Sequence, residues 1–592
     1  MMSTASHPAR GTQLMSAALT VERRDDGVLV LKHPDPLALS GTLVPQMFRQ
    51  QAANSPDAIF IKENVGAAQE TSTYAEFLNR CDGVARGLVE KGAKPGHIIV
   101  VAAENGISYA VLMMAALSIG VIVAPLPPQS LAVAPSYVAA VCQMLGAFAF
   151  STDDPAAAEI IDLPYRISLN GGQDGWHSLD ELVGPADVKI TPLLDSLTPD
   201  MIAKIMFTSG STGGPKPVIN THGMLSAAQD IQAQLFTHIR DMGDTERYTL
   251  TDWLPWHHTY GGNSNFNSVI WSGGQLVIDR GKPTPTDFHH TLSVLKDDLP
   301  SLFIGVPISF SMLVDALEGD DDLAKRFFGE VRGIVNGGAA LGEAVITRLQ
   351  ALAAKWRGEP IFIGGGYGMT ETSAIITQIY WAGAHPETLG LPPPGVEVKL
   401  VPLGDGRYEC AVRGPNVTPG YYSPDGPVTE GLFDDEGFLR TGDALCLINE
   451  ADPKEGLRYA GRLKEEFKLA NGVWVRVGQV RTDLINELSD YVHDVVIVGE
   501  NKDEVGALLW MKDNSNLSTI TERLDRFNAL HKGASRRIAR VAMLAAPPNA
   551  AAGEIVAKGG LNQIRMRQTR SAEIDALYAC HFVGTAPLGA QI

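Results

Sequence analysis

Cysteine is scarce in this chain, and its five copies (Cys81, Cys142, Cys410, Cys446 and Cys580) are odd in number and widely scattered. That excludes a disulfide framework and a cysteine-based metal site, and it makes a reducing cytoplasm the expected setting. Positive charge is also short: 48 Lys and Arg face 67 Asp and Glu, for a formal net charge of −19. Nucleic acid and anionic membranes are therefore not expected as main partners. The segment from Met1 to Ala18 lacks the apolar core of a signal peptide, so residues 1–20 are expected to form a disordered tail. Internal repeats are absent. The one stretch that could suggest a membrane span is Asn105 to Thr152, which holds no charged residue. Ser108, Tyr109, Ser118 and Gly120 interrupt it and Pro125, Pro127 and Pro128 close it, so a buried helix (107–118) and a buried strand (121–124) are expected instead.

What is present is the composition of a globular enzyme, 45% hydrophobic and 19% charged, in a chain too long at 592 residues for a single core. Apolar strand-like runs alternate with helical patterns, as at 97–102, 120–125, 204–207, 275–279, 302–306, 333–336 and 360–364. This implies βαβ units and mostly parallel sheets. Between Val396 and Leu447 the texture turns to short strands with Gly, Pro and Asp turns, which reads as a small β-barrel unit. A charged, turn-rich stretch then ends near Arg462. The expected organisation is α/β: a large multi-subdomain N-terminal domain (21–461) and a small α+β C-terminal domain (462–592).

The densest chemistry lies in Met206-Phe-Thr-Ser-Gly-Ser-Thr-Gly-Gly-Pro-Lys216. A strand runs into glycines able to turn successive N–H groups onto one anion. Thr208, Ser209, Ser211 and Thr212 add hydroxyls and Lys216 adds a point charge. Pro215 and Pro217 flank that lysine, so the Walker pattern is absent. An ordinary Gly/Ser turn is the bland alternative. Glu371 sits among hydroxyls and glycines, where a carboxylate could hold Mg²⁺ against phosphates or simply begin a helix. Asp443 after Thr441-Gly442 could accept both ribose hydroxyls or could serve only the turn. His257 and His258 have no second ligand pair, so a metal there is not expected.

Five segments together resemble the acyl-adenylate-forming superfamily of acyl-CoA synthetases, luciferases and peptide-synthetase adenylation domains. They are the loop 206–216, Asn336-Gly-Gly-Ala-Ala-Leu-Gly342, Gly366-Tyr-Gly-Met-Thr-Glu-Thr372, Arg440-Thr-Gly-Asp443, and Gly461-Arg462 with Phe467-Lys468. Segments 252–262, 282–285, 467–475 and 553–563 further resemble the bacterial feruloyl-CoA synthase group.

The resemblance implies ATP, Mg²⁺ and coenzyme A as cofactors and a small aromatic carboxylic acid as substrate. It implies ATP or CoA contacts at Thr208, Ser209, Gly210, Ser211, Thr212, Gly213, Lys216, Gly338, Ala339, Ala340, Gly366, Tyr367, Gly368, Asp443, Arg462 and Gly472. His258, Tyr260, Gly337 and Gly368 would line the acid pocket, Glu371 would bind the metal, and Lys464 would be the hinge on which the C-terminal domain moves as a mobile lid. Catalytic roles fall to Lys558, Thr370, Glu371 and His258. In much of the superfamily the late lysine follows a glycine directly; here Gly553 precedes Glu554, and Lys558 fits the later G-E-I-x-x-K-G placement. The implied activity is ATP-dependent formation of an acyl-adenylate and then an acyl-CoA, on ferulate-like hydroxycinnamic acids. Ligation of another aromatic or medium-chain fatty acid, loading of a carrier protein, and a non-catalytic nucleotide binder stay as alternatives. Oligomeric state is not readable, and a homodimer is open.

Overall fold

The structure, a computed structural model, describes residues 14–65, 68–208, 215–236, 247–404, 406–512, 517–549, 552–555 and 561–579. Its largest sheet has seven strands and is built around Ile98–Ala102, a strand buried at all five positions. Ile122–Leu126 and Ala149–Thr152 flank that strand in parallel, as continuous apolar runs covered on both faces must. The charge-free stretch supplies the helix Ile107–Ser118, with every residue but Ser108 buried, and the strand Ile122–Leu126 that follows it. Among the described residues no helix is long and apolar enough to cross a membrane. At one edge of this sheet Ile202–Thr208 pairs antiparallel with Lys216–Thr221.

Two four-stranded sheets stand beside it. One orders Thr249–Asp252, Gln275–Ile278, Ile59–Val65 and Ala68–Thr73. The other orders Leu302–Gly305, Gly333–Asn336 and Phe362–Tyr367 in parallel, with Thr377–Ile379 antiparallel at the edge.

The expected β-barrel unit is an open six-stranded sheet instead. Its order is Thr20–Arg23, Leu29–Lys32, Glu397–Gly404, Arg407–Arg413, Leu439–Leu447 and Leu457–Arg462, paired antiparallel throughout. Two strands from the beginning of the chain extend one edge, and the outer strands Thr20–Arg23 and Leu457–Arg462 do not pair with each other, so the sheet stays open. The stretch expected as a tail is in place from Leu14 onward: Leu14, Met15, Ala17 and Leu19 pack on the main core. Ala18 exchanges both backbone hydrogen bonds with the Tyr380 hydroxyl.

After Arg462 a separate apolar cluster forms, in which the helix Val477–Leu488 covers the strands Val492–Val498, Val505–Met511 and Ile538–Met543. This helix meets the six-stranded sheet where two glycines touch. A Cβ on Gly478 would stand 2.6 Å from Gly461 Cα, so that position has no room for a side chain, and Gly461 sits at φ +109°, where a Cβ is strained.

Candidate functional site

The ends of several strands open into one cavity of about 1590 Å³. Thr208 ends one strand and Lys216 begins its partner, so the two face each other in register at the rim. The Lys216 ammonium lies 4.7 Å from the Tyr421 ring centroid, a cation–π contact that anchors the charge without neutralising it. The Tyr421 hydroxyl in turn donates to Glu371 Oε1 at 3.2 Å. Glu371 is only 4% exposed. Burial pushes its carboxyl pKa above the ordinary range, with the Tyr421 hydroxyl, Lys216 and Arg462 pulling the other way.

The backbone that presents Glu371 is strained and buttressed. Thr370–Thr372 form a single tight turn, and Ser373 and Ala374 after it hold φ of +47° and +72°, rare for residues with a Cβ. Asn416 pins this turn, its Nδ2 donating to the carbonyls of Thr372 at 2.7 Å and Ile375 at 2.8 Å. The Thr418 N–H donates to the Glu371 carbonyl at 2.7 Å. Gly368 is needed because a Cβ there would fall 2.0 Å from the Ala374 carbonyl oxygen.

Asp443 opens the second corner of the cavity and is 3% exposed. Its carboxylate accepts the Tyr367 hydroxyl at 2.6 Å, the Tyr459 hydroxyl at 3.3 Å and Arg462 Nε at 3.2 Å. Asp443 and Arg462 are register partners on adjacent strands, which places the pair by sheet geometry rather than by a flexible loop. Burial and the neighbouring carboxylate raise the Tyr367 phenol well above its usual range, so it stays a donor.

His257 and His258 also line the cavity, with Gly338, Ala339 and Ala340 from the loop after Gly333–Asn336. His258 Nδ1 accepts the Tyr260 N–H at 3.3 Å, fixing the side chain on its own loop. Burial and Lys282 lower the His257 pKa to about 4, so that ring is neutral. Tyr260 and Gly337, expected in the acid pocket, do not line this cavity: the Tyr260 ring lies against Gly337, where a Cβ would approach Cε1 to 2.3 Å.

From the C-terminal unit, Lys464 and Glu465 reach the rim together with Gln479, Thr482, Asp483 and Asn486 of the helix Val477–Leu488. Gly472 is not part of this lining: it sits at φ +82° in the tight turn between Phe467–Lys468 and Trp474–Val475. Ser209 to Gly213 and Lys558 lie outside the described residues, but both ends of the segment bearing Lys558 are fastened. Glu554 binds Arg570, Thr569 and the Asn549 N–H, and the Leu561 N–H donates to Asp494 at 2.9 Å.

The profile of the AMP-binding enzyme family matches residues 48–422. The chain belongs to the AMP-binding enzyme family. A probable CoA ligase from Humulus lupulus is 26% identical over 515 residues, covering 82% of this chain and 87% of the relative. Anthranilate–CoA ligase from Pseudomonas aeruginosa is 27% identical over 413 residues, covering 68% and 74%. In fold, the ATP-bound MatB of Rhodopseudomonas palustris superposes with a TM-score of 0.69 at 21% identity, across 89% of this chain and 99% of that one.

For this AMP-binding enzyme the structure gathers Thr208, His258, Gly338, Ala339, Ala340, Gly366, Tyr367, Gly368, Thr370, Lys216, Glu371, Asp443, Arg462 and Lys464 around one space. Sequence reasoning missed Tyr421, Thr418 and Asn416, whose only signal is an aromatic pair after Pro and Gly in a turn-rich loop. It also missed the cavity-facing side of the helix Val477–Leu488. Mg²⁺ fits Glu371: a buried carboxylate whose charge is disfavoured gains from a hard cation. No group of three or more acidic, His or Cys residues suited to a metal exists among the described residues. One protein carboxylate with phosphate and water oxygens is how Mg²⁺ is commonly held.

Proposed function

We propose that this AMP-binding enzyme is an AMP-forming acid–CoA ligase. The observation that carries this reading is the convergence of Thr208 and Lys216, Glu371, the Asp443–Arg462 pair and His258 on one cavity. A phosphate-side cation, a metal-seeking carboxylate and a ribose-seeking carboxylate are what ATP requires along its length.

In the first half-reaction a carboxylate oxygen of the acid attacks the α-phosphorus of ATP. The bond from that phosphorus to the bridging oxygen breaks, and pyrophosphate leaves with the electron pair. Lys216 offsets charge on the leaving phosphates, Asp443 holds the ribose, and Lys558 enters between carboxylate and α-phosphate as charge spreads there. Mg²⁺ at Glu371 would neutralise the phosphate oxygens. In the second half-reaction the CoA thiol, losing its proton, attacks the acyl carbon, and the bond to the adenylate oxygen breaks to release AMP. Between the two, residues 462–592 rotate as a lid about Lys464, withdrawing Lys558 and bringing Gly472 toward the thiol.

For the acid, the proposal is a ferulate-like hydroxycinnamate. The likeness of segments 252–262, 467–475 and 553–563 to the feruloyl-CoA synthase group supports it. The test is AMP formation with ATP and CoA across ferulate, 4-coumarate, anthranilate, octanoate and malonate. Turnover of the hydroxycinnamates above the others is expected. Turnover of octanoate or malonate alone would overturn the acid assignment, and AMP formation that never requires CoA would overturn the ligase.

A further inference from the structure

Lys204 is a lysine where an apolar residue would be ordinary. It lies on the strand Ile202–Thr208 between Ala203 and Ile205, is 1% exposed, and forms no salt bridge among the described residues. Its ammonium donates to the Gly262 carbonyl at 2.8 Å. Burial without a counter-charge brings its pKa down to about 7. Such a group costs stability unless its hydrogen bond does something packing cannot.

What it grips is a single π-turn, Tyr260–Asn265, in which the Phe266 N–H reaches back to the Gly261 carbonyl. Turns of this kind are rare and recur at functional sites. Here the turn follows His258 and begins with Tyr260, whose ring meets Gly337. A second tie lies alongside. Asn220 is the register partner of Lys204, and its Oδ1 accepts Asn263 Nδ2 at 2.9 Å. Lys204, Met206 and Thr208 share one face of their strand, as do Asn220, Val218 and Lys216 opposite. The strand pair thus holds the π-turn at one end and presents Thr208 and Lys216 about 13 Å away at the other.

We infer that Lys204 is a positioning residue that sets His258, through the π-turn that begins at Tyr260, at a fixed distance from the phosphate-binding rim by holding the Gly262 carbonyl. It touches no substrate. The role rests on the reading that the acid lies against His258.

The test compares Lys204→Met, which keeps length and removes the donor, with Lys204→Gln, which keeps a donor. Amide exchange over residues 260–266 of the ligand-free protein should quicken about ten-fold in Lys204→Met, with the melting temperature equal to or above wild type. The KM for ferulate, or for whichever acid of the panel is turned over best, should rise about ten-fold or more while the KM for ATP stays within about two-fold. Lys204→Gln should recover part of both effects. Unchanged exchange across the π-turn, or equal rises in both KM values with a lowered melting temperature, would overturn the inference. If exchange quickens but the wild type ligates no acid of the panel, the proposed function fails while the tie stands.

Discussion

Glu371 and Glu554 are both buried glutamates, 4% and 2% exposed, yet the protein treats their charges in opposite ways. Glu554 has more partners than it has oxygens: Arg570 through two nitrogens, the Thr569 hydroxyl at 2.6 Å and the Asn549 N–H at 2.7 Å. These bonds draw its pKa down to about 2. Glu371 has one phenol at 3.2 Å, with its nearest cations acting from a distance, and burial moves its pKa up. A carboxylate satisfied on all sides fastens chain; one left in need of positive charge is poised to receive it from a ligand. Four residues before Lys558, Glu554 is a clasp that ties its stretch of chain to Arg570 and Thr569.

The contrast is broken most directly at Glu371. Glu371→Gln should lower pyrophosphate release by roughly 10²–10³-fold, with the melting temperature unchanged or raised, because a poorly compensated buried charge is removed. A large loss of stability would make Glu371 a structural residue like Glu554. Lys558→Ala comes next: adenylation should fall by about 10²-fold while thioester formation from supplied acyl-AMP stays near wild type. Equal loss of both half-reactions would move the catalytic cation elsewhere.

How much of this was readable in advance depended on whether a residue acts through its neighbours in sequence or across the fold. The strands 333–336 and 275–278 and the helix 107–118 follow from local apolar pattern, and they lie where that pattern puts them. Thr208 and Lys216 were legible because a glycine-rich loop joins them, and Glu371 because hydroxyls and glycines surround it. Tyr421 was not, since its partners lie 50 residues back at Glu371 and much further back at Lys216. Asn416 has the same difficulty, acting on a turn 44 and 41 residues away. The mistaken barrel arose likewise. Alternation within 396–447 cannot reveal that residues 20–32 supply two more strands.

Glu554→Gln tests the other half of the comparison. It should cost about 2 kcal/mol of stability, because Arg570 loses the carboxylate that two of its nitrogens bind and keeps only Glu573 at 2.9 Å. The sign with pH follows from the lowered pKa. The clasp contributes fully above the unfolded carboxyl value of about 4.3 and is lost as pH falls toward 2. Chemical denaturation at pH 7 should therefore separate the variant from wild type, and at pH 2.5 the gap should narrow. A gap unchanged by acid would mean that the Glu554 charge does not hold the segment.

The smallest effect is expected from Tyr421→Phe, and it sharpens the contrast most finely. The ring that seats the Lys216 ammonium is kept, so only the hydroxyl on Glu371 is lost. That hydroxyl lowers the Glu371 pKa, so removing it leaves burial less opposed and the carboxyl protonated at higher pH. The acid limb of kcat/KM for ATP reports the free enzyme and should move to higher pH, with less than ten-fold loss on the plateau. A limb that stays in place while the plateau falls would show that Tyr421 serves Lys216 alone. Glu371 would then owe its ionisation in the free enzyme to the more distant Lys216 and Arg462 charges.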